Sequence, residues 1–483
     1  MSTQPVSDAT SSAVGVDAVV LAAGLGTRMR SGRIKVLHPV CGKPMLEHTL
    51  QLLPALGVRN TVLVLGHQAQ AVKDRVQGSR LNLPGLRFAL QAEQRGTADA
   101  VRCALPELPD EATGQSRVLI LYGDTPLLTL ERLQLLLAAA RESGLALLST
   151  RVADPAGYGR IVRGADGMPQ AIVEDRDFTP EQRRIHEINA GMYVVDGAFL
   201  RRALSRVQAN NAQRELYLTD LLAQAVAEGI GVAVIDAPSE EVTGVNDRAD
   251  LALAEAVLRR RINLGHMRRG VTLHDPASTY IEADVQIGAD TELHPGVVLR
   301  GACRIGSGCL IDVGCVLTNV HVADGAHLKP YTVATDSQLG EKVQIGPFSH
   351  LRPDSVVENG AHIGNFVELK KTRIGPGSKA NHLAYLGDAD IGAGVNVGCG
   401  TITCNYDGVS KHQTVVEDEV FIGSDTQLVA PVRVGRGSII AAGTTVTRDV
   451  PPGALTLSRV PQVDKPDYAE ALRTRLRRSK SPR

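Results

Sequence analysis

Leu21-Ala22-Ala23-Gly24-Leu25-Gly26-Thr27-Arg28-Met29 follows directly on an apolar run, and its glycines would let backbone N–H groups approach phosphate oxygens. Arg28 and Lys35 are placed to neutralise the charge that builds as a pyrophosphate departs. The string is not a P-loop, since no Gly-Lys-Ser/Thr follows, and it lacks dinucleotide spacing. Alone, a glycine pair after a strand reads equally well as a tight βα turn. Asp124, in Tyr122-Gly123-Asp124-Thr125-Pro126-Leu127, ends a second apolar run, where open α/β sheets place ligands; its bland reading is a cap on the next helix. Much further on, His382 stands near Tyr385, after Arg352 and Lys370. An amine acceptor is protonated near neutral pH, so acyl transfer to it needs a base, and histidine titrates in that range. Arg352 and Lys370 can clamp a sugar phosphate, while Tyr385 and Asn396 can bond sugar hydroxyls. A lone histidine among 13 is ordinarily a surface or packing residue, but a phosphate clamp beside a base is hard to explain by stability.

The elements that must hold these residues differ between the two halves. Apolar runs at 17–22, 61–65 and 117–122 alternate with helical patterns at 44–56 and 130–143, the signature of a parallel sheet covered by helices. In the C-terminal half, apolar residues recur every six positions: Ile281, Ile287, Leu293, Leu299, Ile305, Ile311 and Leu317, then Leu339 to Leu369, then Ile422 to Val446. Six is neither a helical nor a strand period. It predicts a short strand and a corner, with one aliphatic per side facing a narrow prism, three sides to a coil and coils stacked on coils. This resembles the hexapeptide-repeat left-handed β-helix. The segment 401–411 breaks the period and is expected to loop out. Cys303, Cys309 and Cys315 lie six apart and read as stacked corner residues rather than a zinc site, since no histidine or carboxylate completes a tetrad. Residues 247–267 read as one long connector helix with few long-range contacts.

The chain has 483 residues, beyond the roughly 250–300 at which single cores stop growing, so at least two units are expected. Lys+Arg 52 balances Asp+Glu 52, which excludes binding of nucleic acid or an anionic membrane by net charge. No apolar run approaches the ~18 residues of a membrane span, and the first 14 residues carry no Lys or Arg that would open an export signal. Seven cysteines without CxxC spacing make no disulfide framework, which predicts a cytoplasmic protein. The absence of Trp, with 48 Gly, suits a prism that rings would overfill.

Taken with Lys35-Val36-Leu37 and Gly42-Lys43-Pro44-Met45, the glycine loop strongly resembles the signature of sugar-nucleotide pyrophosphorylases. The resemblance implies a base-reading loop around Gln91, Gly96 and Thr97, and a nucleotide site that also includes Leu21, Ala22, Ala23, Tyr122 and Gly123. It implies sugar contacts at Gly159, Glu174 and Asn189, and Mg²⁺ held by Asp124 and Asn246. The strings around Arg352, Lys370, His382 and Asn405 resemble the acetyltransferase domain of the bacterial family that joins glucosamine-1-phosphate N-acetyltransferase to N-acetylglucosamine-1-phosphate uridyltransferase. Members make UDP-N-acetylglucosamine for peptidoglycan and lipopolysaccharide precursors from glucosamine-1-phosphate, acetyl-CoA and UTP. Carried over residue by residue, the resemblance implies acetyl-CoA contacts at Asn405, Tyr406, Ser424, Ala442 and Arg459, an oxyanion donor at the Cys399 N–H, and a homotrimer whose acetyl sites are shared between subunits.

The implied architecture is α/β: a disordered tail at 1–15, a Rossmann-like nucleotidyltransferase domain at 16–245, a connector helix at 246–268, a left-handed parallel β-helix at 269–462 and a solvated, frayed basic tail at 463–483. Leu25, Ile34, Arg176, Ala190, Ala384 and Cys399 depart from the family's residues, yet none removes a proposed base, metal ligand or phosphate clamp. The alternatives are a monofunctional pyrophosphorylase with a structural or regulatory β-helix, and a nonenzymatic assembly protein.

Overall fold

The computed structural model describes residues 15–66, 68–109 and 116–479. The chain divides into two compact units, Met1–Ile262 and Asn263–Arg483. Gly15, expected in a disordered tail, instead opens the first strand, where it pairs with Ser116; residues 1–14 lie outside the described residues.

The first unit is built on a sheet ordered 232–236, 145–151, 187–196, 116–122, 15–22, 58–65, 87–90. Its strands are apolar on both faces because both faces are covered. Val19, Val62, Val64, Val118 and Ile120 enter one buried cluster, while Ala18, Val20, Leu63, Leu65, Leu119 and Leu121 enter the other. The sheet is mixed, not parallel throughout. Glu187–Asp196 runs antiparallel to both of its neighbours. The helix Leu130–Glu142 makes the crossover from 116–122 to 145–151 and leaves a place between them. The chain refills that place by way of the hairpin formed by Arg160–Arg163 and Pro169–Val173, and an antiparallel return requires no helical crossover. The helical pattern at 44–56 resolves into a short helix, Met45–Leu50, and a 3₁₀ turn opened by Pro54, which cannot donate to a continuing helix.

The second unit is a left-handed parallel β-helix of three sheets with eleven, ten and nine short strands. Its interior is three aliphatic columns; one runs Leu273, Leu293, Ile311, Leu328, Ile345, Ile363. The six-residue period lapses at Val322, Leu339, Ile374 and Ile391 because the corner before each is one residue shorter. Asn319, Asp336, Lys371 and Asp388 make those corners with φ of 53°, 44°, 49° and 47°. Asn and Asp tolerate that conformation better than most residues, and Lys371 adopts it without that help. The expected loop leaves between Ile402–Cys404 and Thr414–Val416. Cys303, Cys309 and Cys315 are buried, with the last two thiols hydrogen-bonded to backbone carbonyls. The expected frayed tail instead forms a helix, Tyr468–Ser479, with no buried side chain; residues 480–483 lie outside the described residues.

One long helix, Arg248–Arg268, spans the boundary between the units. Its first part is no bare connector. Ala254, with Leu251, Val257, Leu258 and Ile262, packs on Val40, Met45, Leu127 and Val245, and Glu255 accepts a 2.6 Å bond from the Cys41 N–H.

Candidate active sites

In the first unit, the glycine loop borders a cleft of about 720 Å³ that takes in Leu21–Arg28, Lys35, Gln91, Gly96, Thr97, Tyr122, Asp124 and Asn246. Gly26 has φ 62°, and a Cβ there would lie 2.5 Å from Cβ of Lys35, so glycine is what lets the loop pass this close to the lysine. Lys35 Nζ donates to Asp124 Oδ2 at 2.5 Å and to Asn246 Oδ1 at 3.2 Å, and Arg28 donates to the same Asn246 oxygen at 2.9 Å. Asn246 is held from behind: its N–H donates to Asp250, and the neighbouring Val245 N–H donates to the Asp124 carbonyl. A carboxylate and an amide oxygen thus face one point where a cation already sits. Two hard oxygen donors on a shared point fit Mg²⁺.

Gln91 is buried, and its Nε2 donates to Gly96 O and to Asp99. Its side-chain carbonyl oxygen is therefore the atom left to accept a further bond. Gly96 sits at φ 113°, hard against the Leu216 backbone. Tyr122 is half-buried, its desolvation raises its pKa, and its ring packs against Gly191. Gly123 donates to the Leu21 carbonyl, tying the two strand ends together.

Gly159, Glu174 and Asn189 form a separate group. Gly159 O accepts from Asn189 N–H, and the Glu174 carboxylate lies beside the Gly159 Cα. Glu174 borders a neighbouring cavity of about 400 Å³, receives a bond from Thr219, and has its pKa raised by burial. Gln94, Gln213 and Glu215 also line the main cleft and were not singled out from the sequence. The last two arrive through pairing of Leu216 with Arg95 and Ala98, which no local pattern announces.

In the second unit, Arg352 and Lys370 follow the paired residues Leu351 and Leu369 on successive coils, so they stack. Lys370 lies 3.5 Å from Asp388, which also receives a 2.5 Å bond from Asn405. Tyr385 packs over Gly387 beside Asn405. Lys411, on the looped-out segment, joins this face, and the close approach of the Lys370 ammonium pushes its pKa down. Arg352 pairs with Glu368 at 3.0 Å while Lys370 and Lys411 face Asp388, so three cations stand against two carboxylates and one positive charge is left for an anion. Lys411 was missed as a site residue, although the loop that carries it was marked by the broken period.

His382 lies around a corner from Tyr385, the chain turning between them at Leu383 with φ 43°. Its Nδ1 is 3.1 Å from Asn365 Oδ1. That oxygen only accepts, so the neutral ring that makes this bond carries its proton on Nδ1 and leaves the Nε2 lone pair open. Asn396 lies on the same sheet, one coil on, paired with Lys379. Among the described residues no hydrogen bond or ion pair joins His382 to Arg352 or Lys370. Cys399, Ser424 and Ala442 stack at one corner of three successive coils, where Asp425 N–H donates to Cys399 O and Gly443 N–H to Ser424 O. Tyr406 and Arg459 are exposed, and Tyr406 donates to Gly408 O within its loop.

A glycine loop lining a cleft on a mixed α/β sheet, in one chain with a hexapeptide β-helix, defines a two-part transferase. Family models agree: the MobA-like NTP transferase domain matches residues 18–229, the bacterial transferase hexapeptide (six repeats) matches 336–371 and 413–448, and the hexapeptide repeat of succinyl-transferase matches 279–319. Over more than nine-tenths of its length the chain is similar to proteins called bifunctional protein GlmU. It is 52% identical to the one from Trichlorobacter lovleyi over 451 residues, covering 93% of this chain and 96% of the relative. It is 50% identical to those from Pelobacter propionicus and Sorangium cellulosum, covering 93% and 95% of this chain and 97% of each relative. The chain belongs to this bifunctional GlmU family, and it is an enzyme with uridylyltransferase and acetyltransferase activities.

Proposed function

We propose that the second unit acetylates glucosamine-1-phosphate from acetyl-CoA and that the first transfers UMP from UTP to the resulting N-acetylglucosamine-1-phosphate, releasing pyrophosphate. The observation that carries this is the presence, in one chain, of two built anion sites: Arg28 and Lys35 against Asp124 and Asn246, and Arg352 on Glu368 beside Lys370 and Lys411 at Asp388.

In the first unit, Gly24 and Gly26 admit the triphosphate to the backbone N–H groups, and Gln91 offers its carbonyl to a uracil N–H. The acceptor phosphate oxygen bonds to the α-phosphorus as the bond to the β-phosphate oxygen breaks. Arg28 and Lys35 take up the charge on the departing pyrophosphate. Asp124 and Asn246 would hold Mg²⁺, which when bound supplies further neutralisation of the triphosphate. Gly159, Glu174 and Asn189 contact the sugar.

In the second unit, Arg352, Lys370 and Lys411 hold the sugar phosphate, with Tyr385 and Asn396 on its hydroxyls. His382 Nε2 takes a proton from the C2 amine, whose nitrogen attacks the thioester carbonyl. The oxyanion meets the Cys399 N–H, and its collapse expels the CoA thiolate. Asn405, Tyr406, Ser424, Ala442 and Arg459 contact acetyl-CoA. Because His382 and Lys370 lie on adjoining faces without a bond between them, a homotrimer sharing its acetyl sites fits. So does the exposed stack Tyr331, Phe348, Phe366, with ring centroids 5.3 and 5.5 Å apart. Seven free thiols and the lack, among the described residues, of a helix able to cross a membrane support a cytoplasmic setting.

One coupled assay tests the assignment. Asp124→Ala should lose pyrophosphate release yet keep CoA release. His382→Ala should lose about 10²–10⁴ in CoA release with glucosamine-1-phosphate, yet convert ready-made N-acetylglucosamine-1-phosphate normally. Near-normal acetylation by His382→Ala, or both activities falling together in either variant, would refute it.

A further inference from the structure

At the opening coils of the β-helix, away from the residues given catalytic or binding roles above, imidazole and carboxylate groups converge. Thr272 and Leu273 pair in register with Glu292 and Leu293, so coil stacking sets His294 next to His274. The same stacking sets Asp312 next to His294, and His327 one coil beyond Leu310 and two beyond Glu292. The His274 and His294 rings are 4.6 Å apart, edge to face. His274 Nε2 lies 3.1 Å from Glu292 Oε2. One ligand atom from each of His274, Glu292 and His294 falls within 4.8 Å of the others.

We propose that His274, Glu292 and His294 bind a divalent transition-metal ion of the zinc type, which fastens the first coil of the β-helix to the second. Two imidazoles and one carboxylate form a donor set that zinc accepts in four-coordinate sites with water as the fourth ligand. Imidazole donors disfavour Mg²⁺ and so separate this site from the Asp124–Asn246 pair. Bond lengths of about 2.0–2.2 Å require ligand atoms roughly 3–4 Å apart. The His274–Glu292 pair already meets that spacing, and a His294 ligand atom lies within 4.8 Å of both.

The surroundings are those of a metal-binding histidine. Asp312 Oδ1 lies 3.3 Å from His294 Nδ1, which fixes the tautomer and leaves Nε2 for the ion, while its other oxygen is held at 3.0 Å by His327. Asp312 is a positioning residue here. The location gives the ion a task, since Thr272–Leu273 is the terminal strand of its sheet, paired on one side only. Metal bridging His274 to Glu292 and His294 would tie that edge to the body of the helix.

The test is calorimetric titration of the full chain, stripped with chelator, with zinc alone in millimolar Mg²⁺ and in an Asp124→Ala background that removes the other cation site. One zinc per chain is expected. His294→Ala and His294→Gln should each weaken binding by more than about tenfold, and Asp312→Asn by about tenfold. Zinc should raise the melting temperature of the β-helix by about 2–4 °C, and His294→Gln should abolish the rise while its circular dichroism is unchanged. No stoichiometric zinc, or zinc bound equally well by His274→Ala and His294→Gln, would overturn the proposal.

Discussion

Lys35 touches Asp124 and Asn246, 89 and 211 positions away, so its partners could be named in advance only as members of a motif set. The motif-bearing residues were legible because short strings fix their backbone: Gly26 and Gly96 need positive φ, and Asp124 needs the end of a strand. Lys411, Gln213 and Glu215 were not, since they reach their sites on loops aimed by distant contacts. His266 is a further case. It lies on the long helix with no motif around it, yet it is buried, and burial together with the nearby Arg269 guanidinium lowers its pKa from 6.5 to about 4. The unfolded chain takes up that proton below about pH 6.5 while the folded chain resists it. Stability present above pH 6.5 is therefore lost as pH falls towards 4, by at most about 3 kcal/mol, and this group contributes no further slope below that. Urea midpoints of the β-helix transition at pH 7.5 and pH 4.5 should drop less for His266→Gln than for the unaltered chain. Equal drops would assign the acid sensitivity elsewhere.

Among the elements, the helix Arg248–Arg268 departs furthest from expectation. Its amphipathic spacing was readable, but a connector with few contacts does not bury Ala254 or accept a bond from the Cys41 N–H. It also supports the cleft directly, because Asp250 anchors Asn246 and Arg248 donates to the Met29 carbonyl. A fragment ending at 268 should fold and release pyrophosphate, whereas one ending at 247 should melt at least 5 °C lower or fail to stay soluble, having exposed Val40, Met45 and Val245. Equal melting and equal activity of the two fragments would show that the helix contributes nothing to the first unit.

At the scale of the whole molecule, one chain carries His382 and the Lys370 cluster on adjoining faces of a prism, and an exposed aromatic stack runs along its corner. If assembly brings such faces together, Phe348→Glu should reduce the molar mass seen by light scattering from trimer to monomer. CoA release should fall by at least tenfold, and pyrophosphate release from ready-made N-acetylglucosamine-1-phosphate should be unchanged. A trimer that survives the substitution, or a monomer that acetylates normally, would place the shared face elsewhere.

The sequence by itself determined the prism, because each aliphatic at six-residue spacing reports directly on the one side of the coil it fills, and even the lapses mark real corners at Asn319, Asp336, Lys371 and Asp388. It also determined the local strings that shape the phosphate loop. Only the tertiary structure decided that Glu187–Asp196 runs antiparallel between two strands that share a direction, that the long helix belongs partly to the first unit, and that Lys411 joins Lys370. Those outcomes depend on which distant surfaces bury one another, and a local period or motif records the shape of a segment without recording what it packs against.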